Sequence, residues 1–347
     1  MNAKKWLRQW GLIFFTCLSI VGIVNYVIDP QYIFKNYTIY RGQLDVRFSK
    51  INYLKENNGI YNSYMMGSSR IGTTRPSSVE KYERNKKFYN FWIGGANLGD
   101  ILVHLKYFIK EKYSIKTLYI QVGLQNMKSV SYDVRAHPEV LDNSLYIFYI
   151  KNLFSVFYDA VFLKLFPSET DINLIEMEIN NGYFKFINRD LLIESNKGNY
   201  VNIENSFKLN NKRSVHFTTK KDFGIILFEL NKLCRQNNIK LITFVTPHNK
   251  VMMDSYVLED YFEFLRVLSK YNSFYDFSGY NSVTTNNYNY YESSHYLPKV
   301  GELISARIFG DETIFIPKDF GFLVTNKNIE GYLDSKRLNI SEYELKK

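Results

Sequence analysis

Gly67-Ser68-Ser69-Arg70 and Tyr291-Glu292-Ser-Ser-His295-Tyr296-Leu-Pro298 are the segments of this 347-residue chain whose residue types could carry out covalent chemistry. The first follows a mostly apolar and aromatic run, Ile60 to Met66, and reads as a turn from a buried strand into a helix. A serine there would stand over the carboxyl edge of a parallel sheet, where open α/β folds bind ligands. Its Oγ would lie near helix-start N–H groups, which suit a developing oxyanion. In the second segment His295 has a carboxylate, Glu292, three residues upstream. A histidine acting as general base needs a partner on its second ring nitrogen to hold the tautomer, and Glu292 could be that partner. The chain has only 5 histidines. His248, after Thr246-Pro247, is the rival base; His104 falls on a helix face, and His137 and His216 lie in less regular segments. The second glycine of a Gly-x-Ser-x-Gly elbow is missing, so the α/β-hydrolase pattern is not met.

Strands separated by helices must position these segments. Strands are predicted at 60–66, 88–93, 117–122, 240–245 and 273–277, and helices at 97–108, 221–235, 258–271 and 297–309. Leu98, Ile101, Leu102, Leu105 and Phe108 share one helix face. Alternation of this kind predicts an α/β fold of three layers, a parallel sheet with helices on both faces. Residues 128–215 form an insertion whose first half, 143–166, is an aromatic helical stretch. It is expected to be a core-packing helix, a cap over the site or a surface facing a membrane partner. The polar tail, 312–347, is expected to be peripheral to a domain spanning 31–311.

From Gln9 to Ile28 no residue is charged, and Lys4, Lys5 and Arg8 precede the run. Roughly 20 helical residues rising about 1.5 Å each span about 30 Å, the thickness of a bilayer core. The expectation is an anchor, residues 1–30, that meets lipid through 9–28, with the basic end in the cytoplasm and the rest of the chain outside. A cleaved signal peptide would have an apolar region of about 7–15 residues ending at a small-x-small site; this run ends Asn25-Tyr-Val-Ile-Asp-Pro30. The net charge of +10 is spread along the chain, and nucleic acid binding would leave the anchor unexplained. Cys17 and Cys234 form no framework, and without a Cys/His cluster no structural zinc site is expected.

Gly67-Ser68-Ser69 after the first strand, Gly94-Gly95 after the second, Gly123-Leu124-Gln125-Asn126 after the third and Glu292-Ser-Ser-His295 before the last helix resemble the four blocks of the SGNH (GDSL-like) hydrolase superfamily. The resemblance covers roughly 60–125 and 220–310. It implies a flavodoxin-like sheet, Ser69 as nucleophile, His295 and Glu292 as its partners, and an oxyanion hole at Gly95 (or the adjacent Gly94) with Gln125 or Asn126. Glu292 stands where the family usually has Asp, and Gln125-Asn126 where it has Asn-Asp. Asp29-Pro30, Gly67-Ser-Ser-Arg70 and Ser293-Ser-His295-Tyr296-Leu-Pro298 resemble the membrane-anchored branch, which includes the teichoic-acid D-alanyl-transfer and exopolysaccharide O-acetylation proteins of the bacterial envelope. That likeness implies a periplasmic or other extracytoplasmic acyltransferase or esterase needing no cofactor. It implies an acyl donor, a polysaccharide acceptor and a multispanning membrane-bound O-acyltransferase as partner. The rival expectation is a non-catalytic anchored module that recruits a glycan or such an acyltransferase.

Overall fold

The structure, a computed structural model, describes residues 3–42, 46–124, 137–156, 158–166, 171–209, 213–215 and 221–345. Among them, strands form two sheets. The smaller is antiparallel, with β1 (Ile39–Arg41), β5 (Ile175–Glu178) and β6 (Phe184–Phe186) in that order. The larger contains β2 (Ser63–Gly67), β3 (Phe88–Trp92), β4 (Thr117–Val122), β7 (Lys240–Val245), β8 (Phe274–Asp276) and β9 (Phe322–Val324), in the order β3-β2-β4-β7-β8-β9. All neighbours in it are parallel except β8 and β9. β2, β3 and β4 are buried at every residue, as strands covered on both faces must be.

Alternate strand residues feed two cores. Tyr64, Met66, Leu118 and Ile120 pack toward the helices Leu98–Lys110, Lys221–Gln236 and Leu258–Tyr271. Met65, Phe88, Trp92 and Tyr119 pack on the other face with Val300 and Ile304 of the helix Pro298–Phe309. Counting only parallel strands, the order is 2-1-3-4-5. Successive connections therefore leave β2 in opposite directions, and the carboxyl ends of β2 and β4 flank the crevice where such sheets bind ligands.

The outer edge of β3 is sealed. Lys50 Nζ, wholly buried, donates to Asn90 O at 3.1 Å and Trp92 O at 2.9 Å. Asn90 N–H donates to Asn181 O at 2.9 Å, so the insertion covers the same edge. Unpaired strand edges invite association; here a lysine and a loop occupy this one.

Two expectations need correction. The aromatic stretch 143–166 is not a core helix. It is two short helices, Leu145–Leu153 and Tyr158–Leu165, packed against the N-terminal helix Ala3–Ile28, and the first buries none of its residues. The tail is not peripheral. β9 pairs with β8, and the helix Ile329–Leu345 places Ile329, Leu333 and Ile340 in the core. Lys336, on the same stripe, makes a 2.9 Å ion pair with the buried Asp276. A lysine within the i, i+4, i+7, i+11 stripe makes the segment read as polar in sequence, although its spacing is helical.

The helix Ala3–Ile28 is long and apolar enough to cross a membrane, and most of its residues are exposed. It is longer at its start than the uncharged run alone predicts.

Candidate active site

Ser69 opens the short helix Ser69–Gly72 directly after β2 and the N-cap residue Ser68. The turn is tight because Gly67 lies against the Gln121 side chain of β4: a Cβ on residue 67 would come within 2.8 Å of it. Gln121 Oε1 accepts from Ser68 N–H at 3.1 Å and from Ser68 Oγ at 3.0 Å. Arg70 Nη1 donates to Ser68 Oγ at 3.3 Å. Ser68 is thus buried in the scaffold, while Ser69 is half-buried beside it.

His295 Nε2 lies 2.8 Å from Ser69 Oγ, across 226 positions of sequence. Its Nδ1 is hydrogen-bonded to Glu292 Oε1. The same carboxylate accepts main-chain N–H bonds from His295 and Ser294, both at 2.8 Å. Burial pushes the Glu292 carboxyl up, yet the hydrogen bond and charge of His295, the Ser294 N–H and the Arg189 guanidinium outweigh it and hold the group below the usual carboxylate range. An ionised acceptor on Nδ1 selects the tautomer with its proton on Nδ1, which leaves Nε2 free to take the Ser69 proton.

Threonines after the Ser69 turn hold the two segments in register. Thr73 Oγ1 donates to Tyr296 O at 3.0 Å, and Thr74 Oγ1 shares a 3.0 Å bond with Tyr296 OH. Asn90 Nδ2 donates to Ile71 O and Thr74 O, both at 2.8 Å, which ties the turn to β3. The histidine loop closes on itself through Tyr291 N–H to His295 O at 2.9 Å.

Gly94 and Gly95 form an exposed turn at the same edge. Ile93 N–H donates to Gly67 O at 2.9 Å, and Gly95 has φ +65°. Asn97 and Asp100 cap the following helix reciprocally, which pins the far side of that turn. Gln125 and Asn126 lie outside the described residues. The rival base, His248, is 2% exposed; burial, then the nearby Arg70 and His295 charges, hold its pKa well below the usual histidine value. Ser69 Oγ is hydrogen-bonded to His295 instead.

Gln121, Arg189 and the insertion's part in the site are not evident from local sequence patterns. The signal for Gln121 is a lone amide in an otherwise apolar and aromatic stretch, Leu-Tyr-Ile-Gln-Val. Arg189, on the insertion helix Ile187–Ile203, donates from Nη1 to Tyr291 O at 3.0 Å. Tyr291 OH donates to Asp190 at 2.7 Å, and Ser293 N–H donates to Ser206 Oγ at 3.0 Å. Phe186 packs edge-on against His295 with ring centres 5.4 Å apart. No feature near residue 189 in the sequence points to these contacts. The chain matches no family model and no curated protein.

Proposed function

We propose that the protein is a membrane-anchored serine acyltransferase or esterase of SGNH type, acting on the extracytoplasmic side through an acyl-serine. The observation that carries this reading is the hydrogen-bonded series Ser69 Oγ, His295 imidazole, Glu292 carboxylate at the carboxyl edge of a parallel sheet. Nucleophile, base and orienting carboxylate in contact are the arrangement acyl transfer requires.

Ser69 Oγ attacks the acyl carbonyl as its proton passes to His295 Nε2. The carbonyl oxygen becomes an oxyanion facing the Ser69 and Gly95 main-chain N–H groups, with Gln125 or Asn126 as further donor. Collapse breaks the bond to the leaving group, which takes the proton from His295 Nε2, and leaves an ester on Ser69. An acceptor hydroxyl then gives its proton to His295 Nε2 and attacks that ester, and the departing Ser69 recovers the proton. A sugar hydroxyl gives transfer and water gives hydrolysis. Glu292 stays ionised throughout and stabilises the imidazolium. The basic residues before the apolar helix support an extracytoplasmic domain, where envelope polysaccharide would be the acceptor and a membrane-bound O-acyltransferase a source of acyl groups.

A fluorophosphonate probe tests the reading. The detergent-solubilised full chain is expected to label at Ser69, and Ser69→Ala is expected not to label. A folded chain that does not label would favour the non-catalytic recruiter.

A further inference from the structure

We propose that residues 152–156 and 158–166 lie in the membrane interface beside the N-terminal helix, with lipid acyl chains covering their outer face. The proposal rests on the reading of Ala3–Ile28 as a membrane span and is independent of the chemistry at Ser69.

Depth is the first argument. An apolar groove runs between Val21 and Val24 of the span and Val161, Phe162 and Phe166 of the insertion. The Phe154 ring lies 3.1 Å from where a Cβ on Gly22 would stand, so the absent side chain admits the ring. Val21 to Asn25 precede the end of the span by three to seven residues, about 5–10 Å along a helix rising about 1.5 Å per residue. The exit level is marked by cations: Lys35 Nζ donates to Val27 O and Lys164 Nζ to Asp29 O, both at 2.6 Å. Ammonium groups belong at the headgroups. Whatever packs against Val21–Asn25 therefore lies on the hydrocarbon side of that level.

The backbone at this depth is satisfied within the protein. A helix end in hydrocarbon must have its carbonyls bonded within the protein. Asn25, buried on the span, directs Nδ2 at the carbonyls of Asn152, Leu153 and Ser155, at 3.3, 2.8 and 2.7 Å. These are the carbonyls at and just beyond the end of the helix Leu145–Leu153, which has no further turn to bond them.

Third is the outer face. Val156, Phe162 and Phe166 are 80%, 52% and 63% exposed, and the only charged residues of the sequence 152–166 are Asp159 and Lys164. So much contiguous apolar surface is unfavourable in water. It continues the apolar surface of the span itself, and this continuity identifies lipid as its occupant. The insertion thereby holds the domain to the membrane at a second place, and the same insertion carries Phe186 and Arg189 to the His295 loop.

Site-directed fluorescence tests this in the full chain. Single cysteines, Val156→Cys or Phe162→Cys, in a Cys17→Ala background, carry nitrobenzoxadiazole in vesicles of phosphatidylcholine and phosphatidylglycerol. Doxyl-labelled lipid is the quencher and Ile20→Cys on the span is the reference. Blue-shifted emission quenched to an extent comparable with Ile20 is expected at both sites. Water-like, unquenched emission at 156 and 162 beside a quenched Ile20 would overturn the proposal while leaving the anchor. Blue emission insensitive to the quencher would mean that a second copy of the chain covers the face, which also overturns it. Loss of quenching at Ile20 as well would remove the anchor reading and the proposal together, leaving the Ser69 labelling test unaffected.

Discussion

Arg189 Nη1 donates to the main-chain oxygen of Tyr291, the residue before Glu292, at 3.0 Å. The same guanidinium is hydrogen-bonded to Tyr200 and Glu204, so the insertion braces the loop that carries both Glu292 and His295.

Arg189 is accordingly a positioning residue. Arg189→Met leaves the nearly buried Glu204 without its cation, and breaking a buried pair from one side destabilises by about 3–5 kcal/mol. Denaturant unfolding should show that loss. Adding Glu204→Leu should recover part of the stability but not the fluorophosphonate labelling rate, because Tyr291 O keeps the Tyr200 hydroxyl as donor but still lacks the guanidinium. Recovery of both would assign Arg189 a purely structural role.

Ser69→Ala should abolish labelling, with a change in unfolding free energy within about 1 kcal/mol, since one half-exposed hydroxyl bond is lost. His295→Ala should lower turnover of an acyl ester nearly as far as Ser69→Ala, because nucleophile and base act as a unit. Glu292→Gln should lower it by about 10³–10⁴-fold, by disfavouring the useful tautomer.

Ser68→Ala is the contrasting change. The Ser68 hydroxyl bonds Gln121 and Arg70, whereas His295 Nε2 bonds Ser69 Oγ. Its hydroxyl is nevertheless part of a buried network, so the variant should label normally yet unfold about 1–3 kcal/mol more easily. Loss of labelling in folded Ser68→Ala would move the nucleophile by one residue.

Stability should fall with acidity through two histidines. His104 donates from Nδ1 to Asp100 O at 2.7 Å and is wholly buried; burial lowers its pKa from 6.5 to about 4. Burial also lowers that of His137 to about 4. The unfolded chain takes up these protons first, so stability is flat above about pH 6.5 and declines as pH falls toward about 4. Urea midpoints across that range should show the decline, and the double variant His104→Met/His137→Gln should flatten it.

Truncation after Pro317 should prevent folding. It removes β9, the Lys336–Asp276 pair and the core residues Ile329, Leu333 and Ile340. A truncated chain that stays soluble and melts cooperatively near the full-length temperature would restore the peripheral tail.

Local pattern carried much of the fold. β4, β7 and the helix Leu258–Tyr271 occur with the bounds their apolar spacing predicts, because burial on fixed faces leaves a period in the sequence. The first parallel strand begins at Ser63 rather than Ile60, because Ile60 N–H closes a turn on Asn57 O and Asn62 bonds Lys87 and Lys116 just ahead of β3 and β4. The sequence by itself also determined the apolar N-terminal helix and, because the two stand three residues apart in one loop, offered Glu292 as a partner for His295, a contact the structure contains. Only the tertiary structure decided that Ser69 stands against that histidine, that Gln121 locks Ser68 from 53 residues away, and that Arg189 reaches Tyr291 across 102. It likewise decided that the aromatic insertion leaves the core for the N-terminal helix and that the tail enters it. A hydrogen bond between distant residues constrains two side chains at one point in space and imposes no period on the residues around either, so it has no local signature until the sheet brings its ends together.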